Sequence, residues 1–478
     1  MANKPEQNSI IVAKAGLWYT VCNFLLKALS FITVPLFTRI MTKSDIGYFG
    51  NMSSWMSILI ILTTFELSQS IIRSKLEHDD DMDSYIWSIL SMSTLFTLFV
   101  YIVFCAFPGF FSDLLNVDSK YFHIMFLYLL TEPAYNMLIT KHRAYYKYKT
   151  FVALTALASL LATGLSVAFV LFFEDKLSGR IYGHYIPFVL IGAVIYVYLA
   201  IKGKKIKIEY WKYAAVICLP LVPHLLSLVL LSSSDRIIVT RISGKEYTAI
   251  YTIAYSCYHI VTVLFQSLNK AWAPWLLDNL HIENYSEIRA FSKKYVGIFF
   301  VLILSVLLLA PEIIWILGGK SYADAVYCIP PLVASCLIQL IYTMYVNIEF
   351  YEKKTIGVGI GTMIATALNI GLNFLIIPML PERGHVIAAY TTLVGYGALF
   401  GIHYYLVKRL KMDYVFDIRF LLCITALMII ISIAVNALYS YIWIRYGVIA
   451  VYAIGILWLG YKYKDTILSA FMRKRKAT

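Results

Sequence analysis

Apolar residues run through this chain in stretches of about twenty, separated by short polar joins. A helix that crosses a hydrocarbon core needs about 20 such residues. Fourteen runs reach that length: 14–36, 46–72, 85–107, 121–140, 150–173, 181–201, 213–234, 248–272, 295–317, 325–347, 355–379, 386–407, 420–440 and 442–461. They lack period-two alternation, and each is about twice the length of a barrel strand, so the pattern predicts helices. The last two runs are nearly contiguous and read as a tight hairpin. An even number of crossings returns both ends to one side. The joins on that side carry most of the Lys and Arg, in clusters such as "KHRAYYKYK" (141–149), "KGKKIK" (202–207) and "RKRK" (473–476). Cytoplasmic loops are enriched in these residues, which predicts both termini in the cytoplasm.

Composition agrees with lipid as the solvent. Of the 478 residues, 60% are hydrophobic and 14% charged, against about 45–50% and about 25% in soluble domains. The net charge of +14 is spread over short caps between apolar runs. It forms no continuous basic face, so nucleic acid is not expected as a partner. The seven cysteines all lie inside apolar runs without CxxC spacing. They read as small packing residues rather than disulfides or metal ligands. No cleavable signal peptide is evident. The joins are short, with no phosphate-binding loop and no catalytic constellation. Neither an enzyme, a metal site nor a cofactor is expected.

One phrase occurs twice. "TRIMTKSDIGYFG" begins at Thr38 and "TRISGKEYTAIYT" at Thr240, 202 positions later. Lys43 matches Lys245, and Phe49 matches Tyr251. The copies close the first and the seventh run, so six spans separate them. That spacing predicts two six-helix repeats in the same orientation, followed by two extra helices. The expected division is 1–207, 208–411 and 412–478. Parallel repeats are a transporter plan, with the site between the halves.

These features resemble the multidrug/oligosaccharidyl-lipid/polysaccharide exporter superfamily. The likeness is to its polysaccharide-biosynthesis branch, the Wzx-type flippases. It is carried by "VPLFTRIMTKSDIGYFG" (34–50), by "SSSDRIIVTRISGKEYTAIYTIAY" (232–255) and by "NKAWAP" (269–274). The resemblance implies an all-α polytopic membrane protein of about fourteen transmembrane helices, MATE-like and V-shaped. It implies a flippase for a polyprenyl-pyrophosphate-linked oligosaccharide, an O-antigen or capsule repeat unit, in a bacterial inner membrane. Partners would be that glycan, membrane lipids, a coupling proton or sodium ion, and glycan polymerase machinery. A cation-coupled drug antiporter and a lipid II flippase are the alternatives.

Polar residues inside the spans point to the site, because a charge at mid-membrane costs about 3 kcal/mol or more. Tyr19, Asn23, Lys27 and Ser30 share one face of the first span. Tyr255, His259, Thr262, Gln266 and Asn269 form a similar stripe on the eighth, beside Lys270. Thr362, Thr366, Asn369 and Asn373 form a third, on the eleventh. Three stripes suggest one polar cavity, with Lys27 and Lys270 as its anion-binding cations. Arg39 and Arg241, matched by the repeat, are expected as gate residues. Glu132, Asp235 and Glu66 are candidates for a coupling ion, with Asp235 expected to face a cavity cation. Glu66 and Glu349 also lie close to basic residues, Arg73 and Lys353–Lys354, that could neutralise them.

Overall fold

The computed structural model describes residues 4–462; the side chains of residues 4–13, 17, 23, 27, 30, 459 and 460 fall outside the described ones. The chain forms, in order, α1 (Lys4–Ile40), α2 (Lys43–Thr64), α3 (Ser70–Glu77), α4 (Met82–Ala106), α5 (Pro108–Leu115) and α6 (Phe122–Ala144). There follow α7 (Tyr148–Phe172), α8 (Lys176–Gly203), α9 (Ile208–Cys218), α10 (Val222–Ile242), α11 (Lys245–His281) and α12 (Tyr285–Leu308). The last six are α13 (Ala310–Gly318), α14 (Ile329–Tyr351), α15 (Thr355–Ile376), α16 (Gly384–Arg409), α17 (Ile418–Leu438) and α18 (Ile442–Lys462).

Among the described residues, twelve helical segments are long and apolar enough to cross a membrane. The two other expected runs correspond to α6, which is 23 residues long but carries a basic last turn, and to the apolar stretch Ile442–Trp458. Large apolar side chains face outward along the spans; Phe172 and Trp443 are each 85% exposed. Only lipid makes such a surface stable, since water would penalise each such side chain by roughly 1.5–3 kcal/mol. The protein is a multi-pass membrane protein.

Three runs are broken, two of them at prolines. Run 46–72 stops at Thr64, and Phe65 and Glu66 are both left-handed. Run 213–234 is split around Pro220 and Pro223 into α9 and α10. Run 295–317 breaks before Pro311 into α12 and α13; a proline at the first turn of a helix lacks only an amide that is unpaired there anyway. In the other direction, α11 continues past its apolar run to His281.

The repeat is visible in the register. Helix α1 ends at Ile40 and α2 starts at Lys43; α10 ends at Ile242 and α11 starts at Lys245. Both pairs keep the 202-residue offset. The caps differ. Thr42 and Asp45 form a capping box at α2, whereas Gly244, at φ 107°, precedes α11, a conformation only glycine adopts without strain. The first six of the expected spans are α1, α2, α4, α6, α7 and α8; the next six are α10, α11, α12, α14, α15 and α16. They meet where α2 packs on α10 and α11, and α1 on α13. Helix α18 is tied back by Arg445, whose guanidinium grips Glu312 of α13 with two bonds of 2.5 and 2.6 Å.

Candidate functional site

At the α1–α2 and α10–α11 turns the two bundles are clasped. A Cβ on Gly47 would lie 1.7 Å from the Lys245 carbonyl oxygen and 3.1 Å from the Ala249 amide. A Cβ on Gly50 would lie 2.7 Å from Thr252 Oγ1. Ala249 and Thr252 are the repeat mates of Gly47 and Gly50. Contact between a residue and its own mate happens on the axis relating the halves, so α2 and α11 cross on that axis.

The matched side chains reach across it symmetrically. Arg39 Nη2 donates to the Ile316 carbonyl of α13 (3.4 Å), and Arg241 Nη1 to the Asp113 carbonyl of α5 (2.5 Å). Both acceptors belong to the last turn of a short helix, whose carbonyls have no intrahelical donor. Thr38 Oγ1 adds a bond to the Leu317 carbonyl (2.6 Å). Lys43 lies over the Tyr322 ring and Lys245 over the Tyr48 ring, at 5.7 and 4.6 Å. The clasp is therefore made twice, once by each copy of the repeated phrase.

Two further cations lie just behind it, and sequence reasoning missed one. Arg180, in the second turn of α8, stacks 3.7 Å from the centroid of Phe37 and 4.6 Å from that of Phe49. Among the described residues no carboxylate forms an ion pair with it. Its only sequence signal was a basic residue at the start of an apolar run. Arg236 lies over Tyr255 (4.8 Å) and donates to the Ser232 carbonyl, and its Nε is buried without a partner. Its guanidinium folds back on the α10–α11 pair.

Depth separates the two predicted lysines. At 1.5 Å per helical residue, Lys27 lies about 20 Å from the clasped end and Lys270 about 38 Å. The difference follows from sequence position: Lys27 is thirteen residues before Ile40 at the end of α1, and Lys270 twenty-five after Lys245 at the start of α11. Lys270 is exposed on the same α11 face as His259 and Gln266. Asn269 is half-buried beside it, and Tyr255 is buried under Arg236. The side chains of Lys27 and Asn23 lie outside the described residues. Tyr19 is set edge-on against Phe151 of α7, at 4.6 Å, which holds it on a helix of its own bundle.

The α15 stripe turns into the second bundle rather than toward a chamber between the halves. Asn369 and Asn373 are fully buried. Asn373 Nδ2 donates to Asp235 Oδ1 (2.7 Å) and accepts from Thr391 through its own oxygen (2.5 Å). Tyr251 and Thr392 hydroxyls each donate to Asp235 Oδ2 at 2.6 Å. With its amide oriented to suit its neighbours, Asn369 donates to Asp235 Oδ1 as well, at 3.3 Å. Asp235 thus has hydroxyl and amide partners, not the cavity cation expected for it. The reason is helical geometry: Asp235 and Arg236 are about 100° apart on α10.

The other acids also differ from expectation. Arg73 pairs with Glu77 (3.5 Å) instead of Glu66. Glu66 starts a 3-10 turn and accepts from Gln69 at 3.4 Å. Glu349 bonds His403 of α16, not Lys353 or Lys354. Glu132, in the turn before Pro133, has one carboxylate oxygen buried without a partner.

The sequence matches the polysaccharide biosynthesis protein family over residues 12–280, more than half of the chain. No curated protein matches it. Among solved structures, the lipid II flippase MurJ in an inward closed conformation is 15% identical, with a TM-score of 0.68 over 94% of this chain and 99% of that one. An inward-facing multidrug resistance MATE transporter is 14% identical, with a TM-score of 0.62 over 80% and 95%. A further transporter of the same MOP superfamily, from Pyrococcus furiosus, is 13% identical, with a TM-score of 0.54 over 85% and 96%. At these identities the likeness establishes the fold.

Proposed function

Because this chain belongs to the polysaccharide biosynthesis protein family, we propose that it is a flippase for a polyprenyl-pyrophosphate-linked oligosaccharide. The O-antigen or capsule repeat unit would move from the cytoplasmic to the outer leaflet of a bacterial inner membrane. Both termini would be cytoplasmic, so the clasped end is the outer one.

A pyrophosphate cannot cross hydrocarbon without compensating charge. The observation that carries this reading is a series of cations at successive depths. From the clasp inward, Arg180 and Arg236 lie within about 10 Å, Lys27 at about 20 Å and Lys270 at about 38 Å. Lys270 would meet the anionic head at the cytoplasmic mouth, and Lys27 would carry it at mid-depth. Arg180 and Arg236 would hold it behind the gate formed by Arg39 and Arg241. His259, Gln266 and Asn269 line the α11 side of that route for the sugars, and the polyprenyl tail stays in lipid. The cations favour this cargo over an organic cation. Rocking of 1–207 against 208–411 would release the clasp. The chain carries no nucleotide-binding loop, so a proton or sodium gradient, the membrane potential or removal of product would drive the cycle. Asp235, already within hydrogen-bond reach of three helices, and Glu132, with one buried carboxylate oxygen unpartnered, are candidates for that ion.

The test is neutralisation along the series. Lys27→Ala, Lys270→Ala and Arg180→Ala, at matched expression, are expected to cut surface glycan display at least tenfold each. Transfer of labelled polyprenyl-pyrophosphate sugar across proteoliposomes should fall in parallel. Full display from all three variants would sink the cationic route.

A further inference from the structure

Toward the end of the second bundle opposite the clasp, α14, α15 and α16 enclose a carboxylate and an imidazole. Glu349 Oε1 and His403 Nδ1 lie 2.6 Å apart, and both side chains are fully buried. Glu349 is two residues from the end of α14 and His403 six from the end of α16. The pair therefore lies within about 10 Å of the bundle's end.

Each group has a second polar atom with nothing to bond. Glu349 Oε2 and His403 Nε2 are both buried and unpartnered. Helix α15 covers them with glycine. A Cβ on Gly357 would lie 3.3 Å from Glu349 Oε2, and one on Gly361 would lie 3.4 Å from His403 Nε2. Tyr342 of α14 stacks on the His403 ring at 5.6 Å, and Tyr396 of α16 stacks beyond it on Tyr342. A Cβ on Gly359, between those two glycines, would lie 3.9 Å from the Cβ of His224 of α10, whose Nδ1 is also buried without a partner. Tyr258 of α11 ends on Gln339 of α14, a helical stretch away. The segment before α17 meets α14 through Tyr345 and Phe416. Lys353 and Lys354 are in the turn after α14. Among the described residues, no Lys or Arg pairs with Glu349.

Charge counting decides what the pair holds. A carboxylate beside a neutral imidazole carries a net negative charge. Buried without a cation, that charge costs several kcal/mol. One added proton makes the pair neutral overall, as carboxylate with imidazolium or as acid with imidazole. We propose that Glu349 and His403 form a proton-binding site, loaded while the α15 glycines cover it and emptied when water reaches Oε2 and Nε2. The proton comes from water and returns to water, and no other bond changes. Asp235 is a separate case, since both its oxygens are already bonded. The site itself is independent of cargo, whereas its use in coupling rests on the flippase reading.

The experiment uses the full chain in lipid nanodiscs, with nitrogen-15 histidine and infrared detection of the carboxyl band. The ring signals absent from His403→Gln and the band absent from Glu349→Gln identify the two groups. In the unsubstituted protein, the ring and carboxyl signals are expected to report the same pH midpoints, because coupled groups titrate in macroscopic steps that belong to the pair. Glu349→Gln should move the ring transition by more than one pH unit. Ring and carboxyl midpoints that differ from each other in the unsubstituted protein overturn the site without reliance on any variant folding. So does a ring transition that Glu349→Gln leaves in place. In proteoliposomes, Glu349→Gln should lose the several-fold acceleration of glycan transfer by an imposed pH gradient but keep transfer down the cargo gradient. Equal acceleration in both proteins would end the coupling role. No transfer by the unsubstituted protein would count against the flippase reading and leave the spectroscopic result intact.

Discussion

At the scale of single residues, Asp235 shows how a membrane interior uses an acid. Its two oxygens collect donors from α11, α15 and α16, so one side chain on α10 joins four helices. Removing it would take the acceptor from four buried donors, Tyr251, Asn369, Asn373 and Thr392, and each unmade bond of this kind costs about 1–3 kcal/mol. Asp235→Leu is expected to lower the thermal midpoint in detergent sharply, and Asp235→Asn, which keeps one acceptor oxygen and the volume, to lower it much less. Equal melting of Asp235→Leu and the unsubstituted protein would contradict the network. Half of this network was legible in the sequence. An acid in an apolar run must have partners, and the Asn369–Asn373 spacing marks a polar helix face. What could not be read was the direction of that face. A stripe of Thr and Asn looks the same whether it lines a chamber or ties helices together. Glu349 and His403 were harder still, since a pair 54 residues apart leaves no periodic trace. Arg180 was hidden for another reason: a basic residue at the start of a span reads as an interfacial anchor until Phe37 and Phe49 are seen to sandwich it.

At the scale of elements, the repeated phrase was legible because the clasp needs particular chemistry. A guanidinium must reach free carbonyls at a helix end, and a turn must stop one helix and start the next. Of the short helices that supply those carbonyls, α13 was not separable from run 295–317, since apolarity continues through the break, and α5 fell in the join after run 85–107. Prolines at 108 and 311 were the only punctuation. Close approach of α2 and α11 depends on Gly47, where an added Cβ meets the backbone of Lys245 at 1.7 Å. A backbone atom cannot swing aside as a flexible side chain does, so the helices must separate. Overpacking of this kind costs about 1–3 kcal/mol, which is charged to the clasped conformation alone and shifts the population away from it. Gly47→Ala is therefore expected to raise labelling of a Thr252→Cys reporter by a membrane-impermeant thiol reagent about tenfold in cells, in a background lacking the native cysteines. Labelling unchanged from the Gly47 parent would mean that the α2–α11 crossing does not close this end.

At the scale of the whole molecule, the two six-helix bundles are joined where a residue meets its own copy. In parallel repeats, such a meeting can occur only on the relating axis. Any motion that preserves the relation of the halves must separate those mates together. Gly50 and Thr252 are the sharpest instance: a Cβ on Gly50 would lie 3.7 Å from the Cβ of Thr252, within the range of about 3.5–4.5 Å that a disulfide requires. Gly50→Cys with Thr252→Cys, with the native cysteines replaced, should cross-link under mild oxidation. The bond would pin the clasped end while leaving the opposite end free to open. Cargo could then enter from that end but not leave at the clasp. Oxidation is expected to stop glycan transfer while leaving binding of the lipid-linked glycan within about twofold, and a reductant should restore transfer. Each single-cysteine protein controls for the substitutions themselves, and the tight fit at Gly50 makes that control necessary. If the cross-linked protein still transferred glycan at the rate of the reduced one, the clasp could not be the barrier between the site and the far leaflet. The route would then have to pass elsewhere than between the bundles.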